Sequence, residues 1–300
     1  MTDSNRYSEF LKQAACGAGS GAFTKTMTAP LERVKILLQV QGMNGKPKYT
    51  GIANAFSTVV REEGFLALYN GNMANVVRIV PNYALKFSFN DAFRDMVRQP
   101  GQKINEMTFH QMMYAGSLAG LFQIFITYPL ELMRTRMALS QSLASGVKYK
   151  GIIDCGVSTV RQEGLGALYK GLGPALISGT PYIGLQMTFY DTFKRMLAET
   201  TGAETGLLGS LISGASAGIL AQSVAYPGDT LKRRMQTNGI GGTARVYKHT
   251  WDACKKILRT EGVPGFYQGL LANVMRAIPD AALQFVAYEQ LKKLFGVGVR

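Results

Sequence analysis

The feature that most constrains this fold is a pattern that occurs three times, about a hundred residues apart. Pro30-Leu-Glu recurs as Pro129-Leu-Glu and as Pro227-Gly-Asp, at spacings of 99 and 98 residues. In every copy a basic residue follows the acid by three positions, giving the pairs Glu32/Lys35, Glu131/Arg134 and Asp229/Lys232. An internal repeat of this length predicts three copies of one supersecondary unit that share a common core.

Further positions keep the same spacing. An acid/base pair follows the second proline of each copy, and these pairs are Asp91/Arg94, Asp191/Lys194 and Glu289/Lys292. Between the two prolines, every copy contains a Glu-Gly dipeptide and then a Tyr-x-Gly triplet. We therefore predict three repeats, at residues 9–103, 107–200 and 205–296, that together form one transmembrane barrel.

Each repeat has the pattern of a long helix, a short amphipathic helix and a second long helix. Met107–Leu130 and Thr205–Gly228 contain no Asp, Glu, Lys or Arg, and a 24-residue helix is about 36 Å long, enough to cross a bilayer core of about 30 Å. The half-polar stretches Tyr49–Arg61, Tyr149–Arg161 and Val246–Arg259 are typical of interfacial helices. The prediction is an all-α membrane protein with six transmembrane helices in three pseudo-symmetric repeats plus three short interfacial helices. A soluble helical solenoid would also repeat, but it would not need such uncharged stretches.

The composition limits the classes of function. Lys and Arg outnumber Asp and Glu by 33 to 19, a net charge of +14, which favours an anionic partner such as a phosphate-rich solute or lipid. The three cysteines are too few and too scattered for a disulfide framework or a metal site. His110 and His249 lack catalytic partners in the sequence, and no glycine-rich phosphate loop follows a strand, so we predict that the chain is not an enzyme.

The acid/base pairs predict two gates. If the repeats surround an axis, the acids of the first set can each pair with the base of the next repeat and form a ring at one end. The second set can form a ring at the other end. Pairs within one helix, worth only tenths of a kcal/mol, are the alternative. Two breakable rings on either side of a cavity are what alternating access requires.

A binding site for a solute without threefold symmetry should break the symmetry of the repeats. In the second long helix of each copy, three residues before the proline stand Arg78, Ser178 and Arg276. The other candidates, at aligned positions around the prolines, are Lys25, Asn82, Lys86, Gly179, Tyr182, Gln186 and Asp280. Four cations against one acid predict a multivalent anion, because arginine engages phosphate or carboxylate oxygens bidentately.

The tripled motif resembles the signature of the mitochondrial carrier family. It reads Pro30-Leu-Glu-Arg-Val-Lys, Pro129-Leu-Glu-Leu-Met-Arg-Thr-Arg and Pro227-Gly-Asp-Thr-Leu-Lys-Arg-Arg, followed by the Glu-Gly and Tyr-x-Gly elements. The resemblance covers residues 9 to 295. It implies a monomeric six-helix barrel in the mitochondrial inner membrane that exchanges a small solute and binds neither nucleic acid nor a resident cofactor.

The resemblance also implies roles for individual residues. The first charged set becomes the matrix gate, braced from beneath by Gln39 and Gln236, and the second set becomes the cytoplasmic gate. Bound cardiolipin is expected where short helices begin and where Tyr-x-Gly motifs lie, which implicates Gly51, Gly71, Gly151, Gly171 and Gly269. The lipid phosphates would face helix N-termini.

Around Lys25 and Arg78 the chain is most similar to adenine-nucleotide and coenzyme A carriers. Arg78, Ser178-Gly179 and Arg276 occupy the three substrate contact points of that resemblance, although Ser178-Gly179 departs from the usual glycine-aliphatic pair. The absence of an Asp-x-Asp-x-Asp-Gly loop favours a carrier that calcium does not regulate. Two alternatives stay open: a carrier of smaller phosphorylated or carboxylated metabolites (triose phosphate, phosphoenolpyruvate, di- or tricarboxylates), and a proton or anion leak in which Asp280 titrates.

Overall fold

The computed structural model describes residues 3–44, 48–99, 107–139, 149–201 and 207–296, and within these ranges the chain is helical without a strand. Each repeat contains a long helix, a short helix and a second long helix, in that order. The long helices are α1 (Asp3–Val40), α3 (Asn72–Val97), α4 (Phe109–Leu139), α6 (Leu172–Thr201), α7 (Leu207–Thr237) and α9 (Leu270–Leu294). The short helices are α2 (Ile52–Glu63), α5 (Ile152–Glu163) and α8 (Thr250–Thr260), where the half-polar stretches predicted them.

The long helices form a closed ring. Extensive contacts join α3 to α4, α6 to α7 and α9 to α1, so the last long helix packs along the first. Contacts between α1 and α3, between α4 and α6 and between α7 and α9 complete the circuit. Interior side chains of all three repeats can therefore meet at one place.

The repeat motifs have local structural reasons. Pro30, Pro129 and Pro227 lie inside α1, α4 and α7, and each removes one backbone hydrogen bond from its helix. The glycine of each Glu-Gly dipeptide ends or follows a short helix with positive φ, as at Gly64 with φ of 88°. Glycine is favoured there because a Cβ atom would be strained in this left-handed region.

The compact core lies at one end of the ring, where the short helices pack. Val34, Leu37, Val59, Leu68 and Leu139 are among the buried residues of one cluster there. We call this the closed end, defined by α2, α5 and α8, and the opposite end the open end. Many large apolar side chains on the long helices are exposed instead, including Phe125, Met187, Ile278 and Phe285.

In residues 3–44, 48–99, 107–139, 149–201 and 207–296, none of the helices has both the length and the apolar character needed to cross a membrane.

Candidate functional site

Two ion pairs within the first charged set join neighbouring repeats near the closed end. Arg134 of the second repeat contacts Glu32 of the first, and Lys232 of the third contacts Glu131 of the second at 2.5 Å. Each acid therefore meets the base of the next repeat. In α1 and α4 the acid stands two residues after the proline of the motif, so the part of the helix just after the proline positions it.

The third link of this ring differs from the prediction. Asp229 accepts a hydrogen bond from Gln222 Nε2 at 3.1 Å, and the Lys35 Nζ lies 5.6 Å from the centre of the Tyr226 ring. No ion pair joins Asp229 to Lys35 in the described part of the chain. The third repeat carries aspartate where the others carry glutamate, and a side chain shorter by one methylene reaches less far across the ring.

Glu131 is the most heavily engaged carboxylate of the site. Besides Lys232, it lies 3.6 Å from Arg78 Nη1 and 3.6 Å from Arg233 Nη1. These cations come from α3 and α7, whereas Glu131 belongs to α4, so three repeats meet at one side chain. Glu131 is therefore a junction of all three repeats.

Arg233 was not among the residues predicted from sequence. Its Nη1 donates to Thr135 Oγ1 at 2.6 Å and to Gln236 Oε1 at 2.9 Å. Gln236 also donates to the Tyr128 hydroxyl at 3.2 Å, so the proposed brace is tied into a polar network beside Glu131. Gln39, the other proposed brace, is fully buried. The basic run Lys232-Arg-Arg, of which Arg233 is the middle residue, is the signal that could have found it.

A second set of buried arginines ties α1, α4 and α7 to the end of the short helix that follows each of them. Arg136 Nη2 contacts Glu163 Oε2 at 2.9 Å and Arg234 Nη2 contacts Glu261 Oε2 at 2.6 Å, while Arg33 Nη2 contacts Glu63 at 2.5 Å. In α4 and α7 this arginine follows the proline by seven residues. In α1 position 37 is leucine, and Arg33, one helical turn earlier, reaches the corresponding glutamate.

Glu163 shows the electrostatic consequence of this pairing. Burial alone would raise the pKa of its carboxyl group, but hydrogen bonds from Arg136 and Lys170 outweigh burial and hold that pKa below its usual value. Glu163 therefore stays ionised at neutral pH and keeps α5 attached to α4.

The predicted substrate cations of the first and third repeats meet at Asp280. Lys25 Nζ lies 2.7 Å from Asp280 Oδ2, and Arg276 Nη1 lies 2.6 Å from the same oxygen. Thr28 Oγ1 donates to the other oxygen, Asp280 Oδ1, at 2.8 Å. The structure thus joins α1 and α9 through one carboxylate.

The remaining substrate candidates fall into separate groups. Asn82 accepts a hydrogen bond from Gln123 Nε2 at 2.7 Å, while Tyr182 and Gln186 lie half-buried on α6. Gly179 is exposed. Lys86 lies in α3, but its side chain falls outside the described part of the structure.

Ser178 is placed differently from the prediction. It is 7 % exposed, its Oγ donates to the Ala175 carbonyl at 3.4 Å, and a Cβ built on Gly228 would stand only 2.4 Å from Ser178 Cβ. The third repeat has Gly228 where the first two have leucine, and this glycine makes room for α6 to approach α7. Ser178 therefore packs against α7, and it is buried.

At the open end the second charged set is not paired. In the described ranges, none of its six members forms an ion pair within 4.0 Å; they are Asp91, Arg94, Asp191, Lys194, Glu289 and Lys292. Lys194 Nζ lies over the Tyr190 ring instead, 5.9 Å from its centre. Among the described residues, the closed end thus carries ion pairs between repeats and the second charged set at the open end carries none.

The five glycines proposed for lipid binding divide into two groups. Gly71, Gly171 and Gly269 have φ near +83° (82°, 84° and 84°), and Cβ atoms there would stand 2.8 to 3.0 Å from backbone carbonyl oxygens of Arg134, Lys232 and Lys35. These three glycines are therefore required by close packing between repeats. Gly51 and Gly151 precede α2 and α5 in open space without a side-chain cap.

The third short helix begins in another way. His249 stands where the other repeats have Gly51 and Gly151, and its Nδ1 accepts a hydrogen bond from the Asp252 amide at 3.2 Å. One of the free amide groups at the start of α8 is therefore already satisfied. No cluster of His, Cys, Asp and Glu in the described ranges could hold a metal ion.

Comparison with known proteins agrees with this threefold architecture. The family described as mitochondrial carrier protein matches the chain three times, at residues 6–101, 105–201 and 203–298. A calcium-binding mitochondrial carrier protein, SCaMC-2 of Xenopus laevis, is 34% identical over 298 residues, covering 96% of this chain and 55% of that protein. The human mitochondrial adenyl nucleotide antiporter SLC25A25 is 34% identical over 293 residues, covering 96% of this chain and 60% of that protein.

A plant relative is matched over more of its length. The mitochondrial adenine nucleotide transporter ADNT1 of Arabidopsis thaliana is 34% identical over 317 residues, covering 98% of this chain and 90% of that protein. The chain spans a little over half the length of SCaMC-2. Three matches to one family over nearly the whole sequence, on a ring of six long helices, show that the chain belongs to the mitochondrial carrier family.

Proposed function

We propose that this chain is a monomeric antiporter of adenine nucleotides in the mitochondrial inner membrane. Its three repeats would form one barrel of six membrane-spanning helices, with α2, α5 and α8 in the interface on the matrix side. The exposed apolar side chains of the long helices support this arrangement, because contiguous apolar surface of this kind is covered by lipid or protein. The adenine-nucleotide names of the human and plant relatives support the choice of cargo.

One observation carries the proposal: interior cations from different repeats are each held by a carboxylate near the closed end. Arg78 pairs with Glu131, and Lys25 and Arg276 pair with Asp280. A nucleotide presents several phosphate oxygens on one small group, and these cations come from α9, α1 and α3, which are consecutive helices of the ring. Charge-assisted, bidentate contacts of this type are the strongest that arginine makes.

The geometry also suggests how binding would be coupled to opening. Arg78 serves both as a candidate substrate contact and as a counter-cation of the gate residue Glu131. A phosphate that draws Arg78 away leaves Glu131 with Lys232 and the more distant Arg233. The closed end would thereby weaken only when substrate is bound, as strict exchange demands.

In this conformation the central site would face the cytoplasm. The proposed matrix gate carries two ion pairs between repeats, whereas the proposed cytoplasmic gate carries none among the described residues. Alternating access would require the first set to break and the second set to form. Bound cardiolipin would sit at the uncapped starts of α2 and α5, and the His249 cap makes α8 the weakest of the three sites.

The buried position of Ser178 favours a nucleotide over a smaller metabolite. The alternative cargo would use the Ser178 hydroxyl as a hydrogen-bond donor in the cavity, but that hydroxyl lies on the Ala175 carbonyl. The exposed Gly179 beside it offers a flat backbone surface suited to a planar base.

The test is counter-exchange in liposomes that contain the purified protein. Internal nucleotides, phosphoenolpyruvate, triose phosphate or dicarboxylates are each offered against labelled external ADP. We expect exchange only with internal adenine nucleotides. We expect the exchange to be lost in Arg276→Ala, because this variant lacks the guanidinium group that would contact the phosphates. Arg161→Ala, an exposed arginine of α5, serves as the matched control and should exchange normally. Uptake driven only by the smaller metabolites would eliminate the proposal.

A further inference from the structure

Asp280 occupies a place that the other repeats fill with uncharged residues. One residue after the second proline stand Asn82, Tyr182 and Asp280. Arg78 and Arg276 are equivalent by repeat, yet they have different anionic partners. Arg78 reaches Glu131 of the gate at 3.6 Å, whereas Arg276 binds Asp280, four residues later on its own helix, at 2.6 Å.

The contacts of Asp280 resemble those of a bound anion. One of its oxygens receives both Lys25 and Arg276, and the other receives the Thr28 hydroxyl. The Asp280 side chain is 18% exposed and that of Arg276 is 16% exposed, so this contact is largely shielded from water. Two cations held this close without an anion between them would repel each other strongly, since screening is weak away from solvent.

From these contacts we infer that Asp280 is an internal counter-anion that holds Lys25 and Arg276 in the empty carrier and is displaced from them by the substrate phosphates. This role rests on the proposed function in that the substrate is taken to be a polyphosphate anion. Asp280 is thus a residue that sets affinity and specificity and does not itself attract the substrate. It weakens binding of every anion and excludes those with too little charge to compete with a carboxylate.

The inference predicts two effects of Asp280→Asn, which removes the charge and nearly keeps the shape. The empty protein should unfold at a lower temperature, because Lys25 and Arg276 lose their shared anion. Inorganic pyrophosphate should then stabilise the variant more than the wild type, with half-maximal stabilisation at a concentration about tenfold lower. Asp95→Asn removes an exposed aspartate near the end of α3 and should change neither quantity.

The experiment is a thermal-unfolding titration of the purified, detergent-solubilised proteins with pyrophosphate, followed by nucleotide exchange in liposomes. If Asp280→Asn is too unstable to purify, the double variant Lys25→Gln with Asp280→Asn restores the wild-type net charge of the site and should recover stability. An unchanged pyrophosphate response in Asp280→Asn would overturn the inference, and so would its complete loss, which would make Asp280 a direct ligand. Failure of the double variant to recover stability would also overturn it.

The two proposals fail in different ways. If wild-type liposomes do not exchange adenine nucleotides, the proposed cargo is wrong, but the pyrophosphate titration still decides the role of Asp280. If exchange is present and Asp280→Asn has the same half-saturation concentration for ADP as the wild type, the cargo stands and the counter-anion role fails.

Discussion

The sharpest prediction compares Glu131 and Asp229, which the repeat makes equivalent and the structure makes different. Glu131 has one cation at 2.5 Å and two at 3.6 Å, whereas Asp229 has a hydrogen bond from Gln222 at 3.1 Å. Both are replaced by their amides, Glu131→Gln and Asp229→Asn, so that shape is nearly kept and charge is lost. If the two motifs were equivalent, both substitutions would lower the free energy of unfolding equally. The contacts predict a larger loss for Glu131→Gln.

The magnitude follows from what each substitution leaves behind. Breaking a buried ion pair by removing one partner costs about 3–5 kcal/mol, because a cation stays buried without compensation. Removing the charge from a single hydrogen bond to a charged group costs about 1.5–3 kcal/mol. The difference of about 2 kcal/mol corresponds to an unfolding temperature lower by roughly 4–8 °C, taking the shift of about 2–4 °C per kcal/mol for larger chains.

The assay is thermal unfolding of the two variants and the wild type in one detergent, at low and at high salt. Glu131→Gln should unfold at the lower temperature of the two variants in both conditions, since its ion pairs are largely shielded from salt. Equal unfolding temperatures for the two variants, or a larger loss for Asp229→Asn, would refute the asymmetric gate.

Three further predictions concern packing and pH. Gly171→Ala should cost about 2–4 kcal/mol in thermal unfolding because it adds overpacking to backbone strain, whereas Gly164→Ala, with similar φ of 86° and open space, should show only the strain. Equal losses would contradict the close packing. Gly228→Ala should be destabilising, and adding Ser178→Gly should recover much of the loss; strict additivity in this double-mutant cycle would argue against the contact. Glu163→Gln should lose stability at pH 7, and its deficit against wild type should shrink as pH falls through the lowered carboxyl pKa, because the stability from a depressed pKa is lost on protonation. A deficit independent of pH would assign the loss to packing.

The sequence was most informative where the three copies agree. The short helices, the chain order of long and short elements and the contact of Glu32 with Arg134 all follow from spacing, because a periodic pattern forces equivalent residues to one depth. Symmetry could also place Lys25 and Arg276 near each other, since each lies within two helical turns of a proline that recurs in every repeat.

The sequence was least informative where one copy deviates. Leu37 removes the seventh-position arginine from the first repeat, and only the fold shows that Arg33, one turn earlier, reaches Glu63 in its place. The lack of an ion pair between Asp229 and Lys35 in the described residues depends on the length of the aspartate side chain and the distance across the ring. The spacing of the motifs does not give that distance. The burial of Ser178 depends on Gly228, a residue from a different helix whose contact no local pattern predicts.

We propose that ion pairs between repeats at the closed end form a gate that must open and close for exchange. Charge reversal in liposomes tests it most directly, using Glu32→Arg, Arg134→Glu and the double variant that carries both changes. Each single reversal places like charges together and should abolish ADP exchange, while the double variant restores the pair with its partners interchanged and should recover it. A double variant no more active than either single one, although equally well folded, would contradict the gate.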